Sequence, residues 1–124
     1  MGAYQDLEKS RLSVTQISES EIQATFLFDE GLALFKGHFP GHPILPGIFQ
    51  LEMVKNVMEK ITEKRFTIQT VKKTKFLHVI RPGEQVALSL AVSFLDVRSS
   101  TVKAVIRIND TIAGKANLVL SECA

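Results

Sequence analysis

Three residues in the first half of the chain have the types and spacing needed for acid–base chemistry. His38 can take up a proton near neutral pH. Gly47 begins a segment with helical periodicity, and the N–H groups and dipole at a helix start stabilise negative charge, such as an oxyanion or the polarised oxygen of a thioester. Glu52 follows five residues later among apolar neighbours, where burial favours the protonated carboxyl group that a general acid requires.

Both ionisable side chains also have a structural interpretation. A single histidine in a proline-rich loop often has no catalytic role, and this alternative stays open for His38. Glu52 shares a helical face with Asn56, Glu59 and Glu63. This face could simply be in contact with solvent.

The two histidines of the proline-rich loop have the i, i+4 spacing of a metal-binding pair on a helix. Pro40 and Pro43 exclude a helix across this stretch. The sequence offers no evident third ligand beside His38 and His42. We therefore predict no metal site.

The sequence predicts an irregular loop before Gly47 and a helix after it, and these two elements must position the candidate residues. Residues 37–47 read GHFPGHPILPG, and this density of proline and glycine excludes a regular helix or strand. Beyond it, residues recur at intervals of four and three, which predicts a helix that ends near residues 63–65. The recurring positions are Gly47, Leu51, Val54, Met58 and Ile61, widened by Ile48, Phe49, Met53 and Val57. Since its first turns are apolar nearly all round, we expect other structure to wrap this helix.

The rest of the chain alternates apolar and polar residues, which predicts strands. Residues 11–29 predict a strand or a hairpin with its turn at 18–21, and residues 66–80 predict a long β region. After a turn at 81–84, three more strands with short turns predict an antiparallel meander. We expect one α+β domain over residues 1–124, with one long central helix wrapped by an antiparallel sheet of five to six strands.

One predicted strand, residues 86–94, has a bulky face and a flat face. Valine, leucine and phenylalanine alternate there with alanine and serine. A flat face permits close approach, and we expect either the helix or an acyl chain to pack against it, with the helix favoured.

Composition and charge exclude several classes of protein. Of the 124 residues, 45% are apolar and 23% are charged, as in globular proteins rather than disordered or fibrous ones. The net charge of +2 is too small for a nucleic-acid-binding surface, and no apolar run is long enough to span a membrane. The lack of a signal-peptide pattern and the single cysteine, Cys123, favour a cytoplasmic protein without an intrachain disulfide.

Residues 37–52, GHFPGHPILPGIFQLE, resemble the signature of the 3-hydroxyacyl-(acyl carrier protein) dehydratases, the FabZ/FabA group with the hotdog fold. That signature is H-F-P-G-x-P-x-x-P-G, followed on a helix by an acidic residue fourteen positions after the histidine. His38 and Glu52 have this separation. Residues 75–85 also resemble the strand and turn after the helix in this group, and the predicted order of elements agrees.

The resemblance implies dehydration of a 3-hydroxyacyl thioester to a trans-2-enoyl thioester, without a metal or redox cofactor. His38 would remove the proton from C2, and the Gly47 N–H would polarise the thioester carbonyl. Glu52 would hydrogen-bond the C3 hydroxyl and help it leave as water, and a glutamate here resembles the FabZ branch. The residues expected to shape the acyl tunnel are Phe39, Pro40, Ile44, Leu45, Ile48 and Phe49.

The resemblance also implies partners. Acyl carrier protein or CoA would carry the substrate. The histidine and the acid would meet across a subunit interface, so we expect a homodimer or a higher homo-oligomer. An acidic carrier protein needs a basic surface, for which the candidates are Lys64, Arg65, Lys72, Lys73, Lys75 and Arg81. These charges could alternatively form a solvated strand face.

Two other functions stay open. A hotdog thioesterase would add water to the thioester instead of removing it from C3, and a non-catalytic acyl-carrier-binding subunit would only bind. The complete pair of His38 and Glu52 favours the dehydratase over both. The Phe39–Pro40 peptide bond is a candidate cis bond, which the sequence does not decide.

Overall fold

The computed structural model describes residues 3–35, 41 and 43–123. They form two α-helices, a short 3₁₀ helix (Ala33–Phe35) and seven strands. The helices are α1 (Ala3–Ser10) and α2 (Gly47–Thr62). The strands are β1 (Arg11–Gln16), β2 (Glu21–Leu27), β3 (Phe66–Val71), β4 (Lys75–Phe76), β5 (Gln85–Phe94), β6 (Ser99–Ile108) and β7 (Thr111–Glu122).

All seven strands belong to one antiparallel sheet. Its order is β1-β2-β5-β6-β7-β3, and β4 also pairs with β7. The predicted hairpin of β1 and β2 and the predicted meander of the last three strands are confirmed. The sheet has more strands than expected because the long β region at 66–80 divides into β3 and β4, with a register shift between Ile68 and Thr70.

Helix α2 begins at Gly47, as the periodicity predicts, and ends at Thr62, just before the predicted end. Pro46 precedes it in an extended conformation. Glu63 ends it in the left-handed conformation, with φ of 59°, and donates its N–H to the carbonyl of Glu59 over 2.9 Å. Its most deeply buried side chains are Met53, Val54, Val57 and Met58. The central helix is therefore confirmed.

The expectation that the helix packs against the flat face of the strand at 86–94 is wrong, and the alternative of an acyl chain stays a prediction. In β5, Val86 and Leu88 are buried in the core, whereas Ala87 and Ala91 are exposed. The period of two sends the bulky and the small side chains to opposite faces of the sheet. Burying valine and leucine removes more apolar surface from water than burying alanine and serine, so the bulky face takes the core side.

Helix α1 is absent from the sequence-based prediction. Leu7 is buried in the core, and the carboxylate of Asp6 accepts the backbone N–H of Leu34 over 2.9 Å. A helix of eight residues is not stable alone in water. These tertiary contacts hold it in place, which is why its own sequence did not reveal it.

Candidate active site

The N-terminal end of α2 forms one wall of the candidate site. Gly47 is its first residue, and Glu52 lies in its second turn. The predicted base His38 lies outside the described residues, and so do Phe39, Pro40 and the peptide bond that joins them. The structure thus positions the predicted acid and the predicted oxyanion donor, and the role of His38 stays a prediction.

The backbone at the start of α2 has two N–H groups for which the described residues provide no acceptor. Pro46 precedes the helix, and its carbonyl accepts the N–H groups of Phe49 at 3.1 Å and Gln50 at 3.3 Å. Among the described residues, the N–H groups of Gly47 and Ile48 have no acceptor. Donors at the positive end of a 16-residue helix can stabilise a developing negative charge.

A cleft of about 390 Å³ opens beside this helix start. Its lining residues are Ile44, Leu45, Pro46, Gly47, Gln50, Phe76, Leu77, His78 and Val79. Of the predicted tunnel residues, Ile44 and Leu45 line this cleft. Phe49 instead packs against the core, and Ile48 is 60% exposed. The cleft is thus largely apolar and adjoins the N–H groups at the start of α2.

Phe76 fills the corner between α2 and the sheet. A Cβ at Gly47 would lie 2.7 Å from Cε2 of this ring, and a Cβ at Gly114 would lie 3.5 Å from its Cδ1. The lack of a side chain at residue 47 is what allows the ring to sit there. The sequence analysis missed Phe76, although a glycine inside the last predicted strand is a signal of close approach that could have found it.

Glu52 is partly exposed, so the expected burial among apolar neighbours is wrong and the alternative of a solvent-facing position agrees better with the structure. Its side chain keeps 33% of its exposure, and its Oε1 lies 3.4 Å from Nζ of Lys55. The apolar neighbours Leu51 and Met53 point into the core instead, since successive residues on a helix differ by 100° in direction. Ile48, one turn earlier on the side of Glu52, is also exposed. The carboxylate is therefore accessible from an open side of α2.

Two other polar residues of this face, Asn56 and Glu59, make hydrogen bonds within the protein, whereas Glu63 is exposed. Asn56 is buried, accepts a hydrogen bond from Arg11 at 2.8 Å and donates one to Glu8 at 2.6 Å. Hydrogen bonds from Arg11 and Asn56 hold the pKa of the Glu8 carboxyl below its usual value of 4.5, against a smaller effect of burial. Glu59 accepts the backbone N–H of Phe66 at 2.8 Å. This network, which no sequence pattern indicated, fastens α1 and β1 to α2.

Two of the predicted carrier-binding lysines belong to a lysine cluster on the sheet. The cluster consists of Lys73, Lys75, Lys103 and Lys115. They surround a cleft of about 320 Å³, and Lys75 pairs directly with Lys115 in the register of β4 and β7. Over the described part of the chain, none of the four has an acidic partner within 4 Å. Lys72 is exposed outside the lining of this cleft.

The other predicted basic residues lie elsewhere. Arg81 lines a separate cleft. Lys64 pairs with Glu122 at 3.4 Å, and Arg65 lies 3.9 Å from Glu59. The structure therefore does not bring them together with the lysine cluster.

The described residues contain neither a candidate metal centre nor a membrane helix. Over residues 3–35, 41 and 43–123, no three His, Cys, Asp or Glu side chains are grouped so that they could hold a metal ion. No helix in these ranges is long and apolar enough to cross a membrane.

Residues 14–109 match the family described as ApeI-like, ApeI dehydratase. The match covers most of the chain and includes the start of α2. The chain belongs to the ApeI-like dehydratase family. This membership confirms the resemblance to the FabZ/FabA group that the HFPG motif indicated.

Several curated relatives of this ApeI-like chain are named 3-hydroxyacyl-(acyl-carrier-protein) dehydratase FabZ. The protein from Latilactobacillus sakei is 34% identical over 93 residues, which make up 69% of this chain and 66% of the relative. The protein from Campylobacter hominis is 32% identical over 95 residues, or 68% of this chain and 66% of the relative. The chain thus spans just under two thirds of the length of these relatives.

Solved structures share the fold of this ApeI-like chain. The dehydratase heterocomplex ApeI:P from Xenorhabdus doucetiae gives a TM-score of 0.73 at 22% identity, over 90% of this chain and 96% of that chain. An uncharacterised protein from Erwinia carotovora gives 0.66 at 28% identity, over 90% and 92%. A mutant thioesterase from Pseudomonas aeruginosa gives 0.64 at 12% identity, over 88% and 78%. The hotdog fold is therefore confirmed, but the fold alone does not choose the reaction.

Proposed function

We propose that this protein removes water from a 3-hydroxyacyl thioester and produces the trans-2-enoyl thioester. The observation that carries the proposal is the arrangement on α2. Gly47, whose N–H has no acceptor among the described residues, and Glu52, whose carboxylate is partly exposed, lie five residues apart on this helix. The apolar cleft adjoins the same helix start and offers room for part of an acyl thioester. The dehydratase names of the curated relatives support the same reaction.

The reaction needs one base, one acid and one oxyanion donor. His38 removes the C2 proton, and the electron pair of the broken C2–H bond forms the C2=C3 double bond while the C3–O bond breaks. Glu52 gives its proton to the departing hydroxyl, which leaves as water. The Gly47 N–H binds the thioester oxygen while negative charge develops there. A proton moved from His38 to Glu52 through solvent restores both groups.

We also propose that the working form is a homodimer or a higher homo-oligomer. Phe76, Leu77 and Val79 are 43–53% exposed along the segment that borders the cleft. Exposed apolar side chains in a row are typical of an interface. A second copy seated there would cover them, and the resemblance implies that the histidine of one subunit lies near the acid of the other.

The lysine cluster is the surface that we propose for the carrier protein. Like charges placed directly opposite each other, such as Lys75 and Lys115, destabilise a sheet. An acidic partner would relieve this repulsion and would be steered toward the cluster. Phe76 follows Lys75 and lines the cleft beside the start of α2. A carrier docked on the lysine cluster would therefore hold its thioester near Gly47.

A second candidate, a non-catalytic acyl-carrier-binding subunit, is favoured by one contact. The carboxylate of Glu52 is paired with Lys55 at 3.4 Å. In this candidate the pair is a surface contact, and the cleft only binds the acyl group.

Single replacements separate the two candidates. With a 3-hydroxyacyl-carrier thioester, His38→Ala and Glu52→Gln should each reduce enoyl formation by at least about 100-fold while leaving the melting temperature nearly unchanged. Lys55→Met is the matched control, because it removes the ion pair and keeps the acid, and it should retain activity. Unchanged activity in Glu52→Gln would contradict the proposal, and a wild-type protein that only binds would support the second candidate.

A further inference from the structure

The side-chain amide of Gln50 is a buried polar group that neither the fold nor the proposed reaction explains. Gln50 is 3% exposed and lines the cleft beside Gly47. Its Nε2 donates a hydrogen bond to the carbonyl of Leu45 at 3.2 Å. Its Oε1 is buried as well, but among the described residues it has no partner. Native proteins keep few such groups, because an unpaired buried acceptor is unfavourable.

The unpaired atom defines the chemistry of the missing partner. Since the amide nitrogen is engaged by Leu45, the atom left over is an acceptor, and the partner must bring an N–H or O–H group. This Oε1 lies 3.6 Å from the position that a Cβ would take at Gly114, where the ring of Phe76 is also in contact range. The surroundings are apolar, so a hydrogen bond made there would discriminate strongly between a ligand with the donor and one without it.

The position of Gln50 on α2 selects the part of the substrate that reaches it. Gln50 follows Gly47 by three residues, which is about 4.5 Å along the helix axis. Glu52 points about 200° away from Gln50 around the same axis. A hydroxyl group held by Glu52 therefore cannot also reach Gln50.

The arm that carries an acyl thioester has its own donor. In both carrier-protein and CoA thioesters, an amide N–H lies two methylene groups from the sulfur. With the carbonyl oxygen at Gly47 and the hydroxyl toward Glu52, the arm leaves on the opposite side of the helix start, where Gln50 lies.

We propose that Oε1 of Gln50 accepts a hydrogen bond from this amide N–H, which makes Gln50 a specificity-determining residue for the thioester arm. The inference rests on the proposed function, because it takes the position of the thioester carbonyl from it. Phe76 and Gln50 line the same cleft, so the arm would reach Gln50 beside this ring.

The test compares two ligands on two proteins. One ligand is the saturated butyryl thioester of N-acetylcysteamine, which keeps this amide, and the other has an ester in place of the amide, so that oxygen replaces N–H. Neither ligand can be dehydrated, so dissociation constants from calorimetry do not depend on catalysis. The wild-type protein should bind the amide about tenfold more tightly than the ester. Gln50→Leu has a similar size and no acceptor, and it should bind both ligands equally.

Asn56→Leu is the matched control, because it removes another buried amide of α2 whose partners are within the protein. It should keep the tenfold preference for the amide ligand, and its melting temperature should fall further than that of Gln50→Leu. Equal binding of the two ligands by the wild-type protein would overturn the inference and leave the dehydration standing. A tenfold preference for the amide ligand that persists in Gln50→Leu would also overturn the inference and leave the dehydration standing. A wild-type protein that binds neither ligand would contradict the inference, and the same sample's activity on a 3-hydroxyacyl-carrier thioester would show whether the proposed function fails as well.

Discussion

The ring of Phe76 lies against the backbone of Gly47, so that a Cβ at residue 47 would be 2.7 Å from Cε2 and 2.9 Å from Cζ of the ring. This contact joins the first residue of α2 to β4 at the border of the cleft. About half of the ring is exposed in the single chain. The position of the ring therefore depends on the lack of a side chain at residue 47.

Gly47→Ala should displace Phe76 and destabilise the protein by about 1–3 kcal/mol, which is the usual cost of overpacking. The fold should survive, because the displaced atoms are the outer end of a half-exposed ring. Urea unfolding measures the loss. The Gly47→Ala, Phe76→Ala double variant has no clash. Its loss in free energy of unfolding should therefore be smaller than the sum of the losses in the two single variants. Strictly additive losses would show that the ring and the glycine are independent.

Stability should fall in acid partly through Glu8. The pKa of this carboxyl is lowered in the folded protein, mainly by its hydrogen bond from Arg11. Its contribution is therefore present above the unfolded value of 4.5 and is lost as the pH falls through the folded pKa. Glu8→Gln should lower the urea midpoint at pH 7 and should differ less from wild type at about pH 3.

Glu19→Gln, in the exposed turn between β1 and β2, controls for the loss of one carboxylate. The effect of Glu8→Gln is expected to be modest, because the Glu8 side chain is 38% exposed and water screens its interactions. If the urea midpoints of wild type and Glu8→Gln differ by the same amount at both pH values, the contact with Arg11 does not contribute to stability through ionisation.

Local patterns in the sequence predicted much of the fold. The start of α2 at Gly47 follows from the change of period after the proline-rich loop, and the meander follows from alternation and turn residues. Helix α1 could not be predicted, because its stability comes from Leu7 in the core and from the contact of Asp6 with Leu34. These contacts join residues far apart in sequence.

Only part of the candidate site could be predicted, because its contacts also join residues that are far apart in sequence. The motif located Gly47 and Glu52 on one helix, but periodicity left open whether Glu52 is buried or faces solvent. Phe76 reaches Gly47 only through the pairing of β4 with β7, and Gln50 became notable only when its oxygen was found without a donor. Such relationships depend on tertiary packing, which no local pattern records.

A mixed dimer should recover activity if the site is shared between subunits. We expect His38→Ala and Glu52→Gln, co-expressed with different tags and purified through both, to form dimers with one intact site. Such a dimer should have about half of the wild-type activity, whereas each variant alone is nearly inactive. An inactive mixed dimer would place both residues of a site in one subunit.

Charge reversal in the lysine cluster should weaken binding of the carrier protein. The Lys103→Glu, Lys115→Glu double variant should raise the KM for a carrier-linked substrate about tenfold, with little change for a small thioester. The wild-type KM for the carrier should rise with salt, and this dependence should shrink in the variant. Arg81→Glu is the control, because Arg81 lines a different cleft. An equal rise in KM for Arg81→Glu would show that the effect is one of net charge and not of this surface.

The identity of the product tests the proposed dehydration most directly. Wild-type protein is incubated with a 3-hydroxyacyl-carrier thioester, and enoyl absorbance and free thiol are recorded in the same sample. We predict that enoyl absorbance rises and that the acyl-carrier mass falls by one water, with no release of thiol. Release of free thiol without enoyl product would contradict the account and assign a thioesterase, and a substrate that stays unchanged would contradict it in favour of a binding subunit.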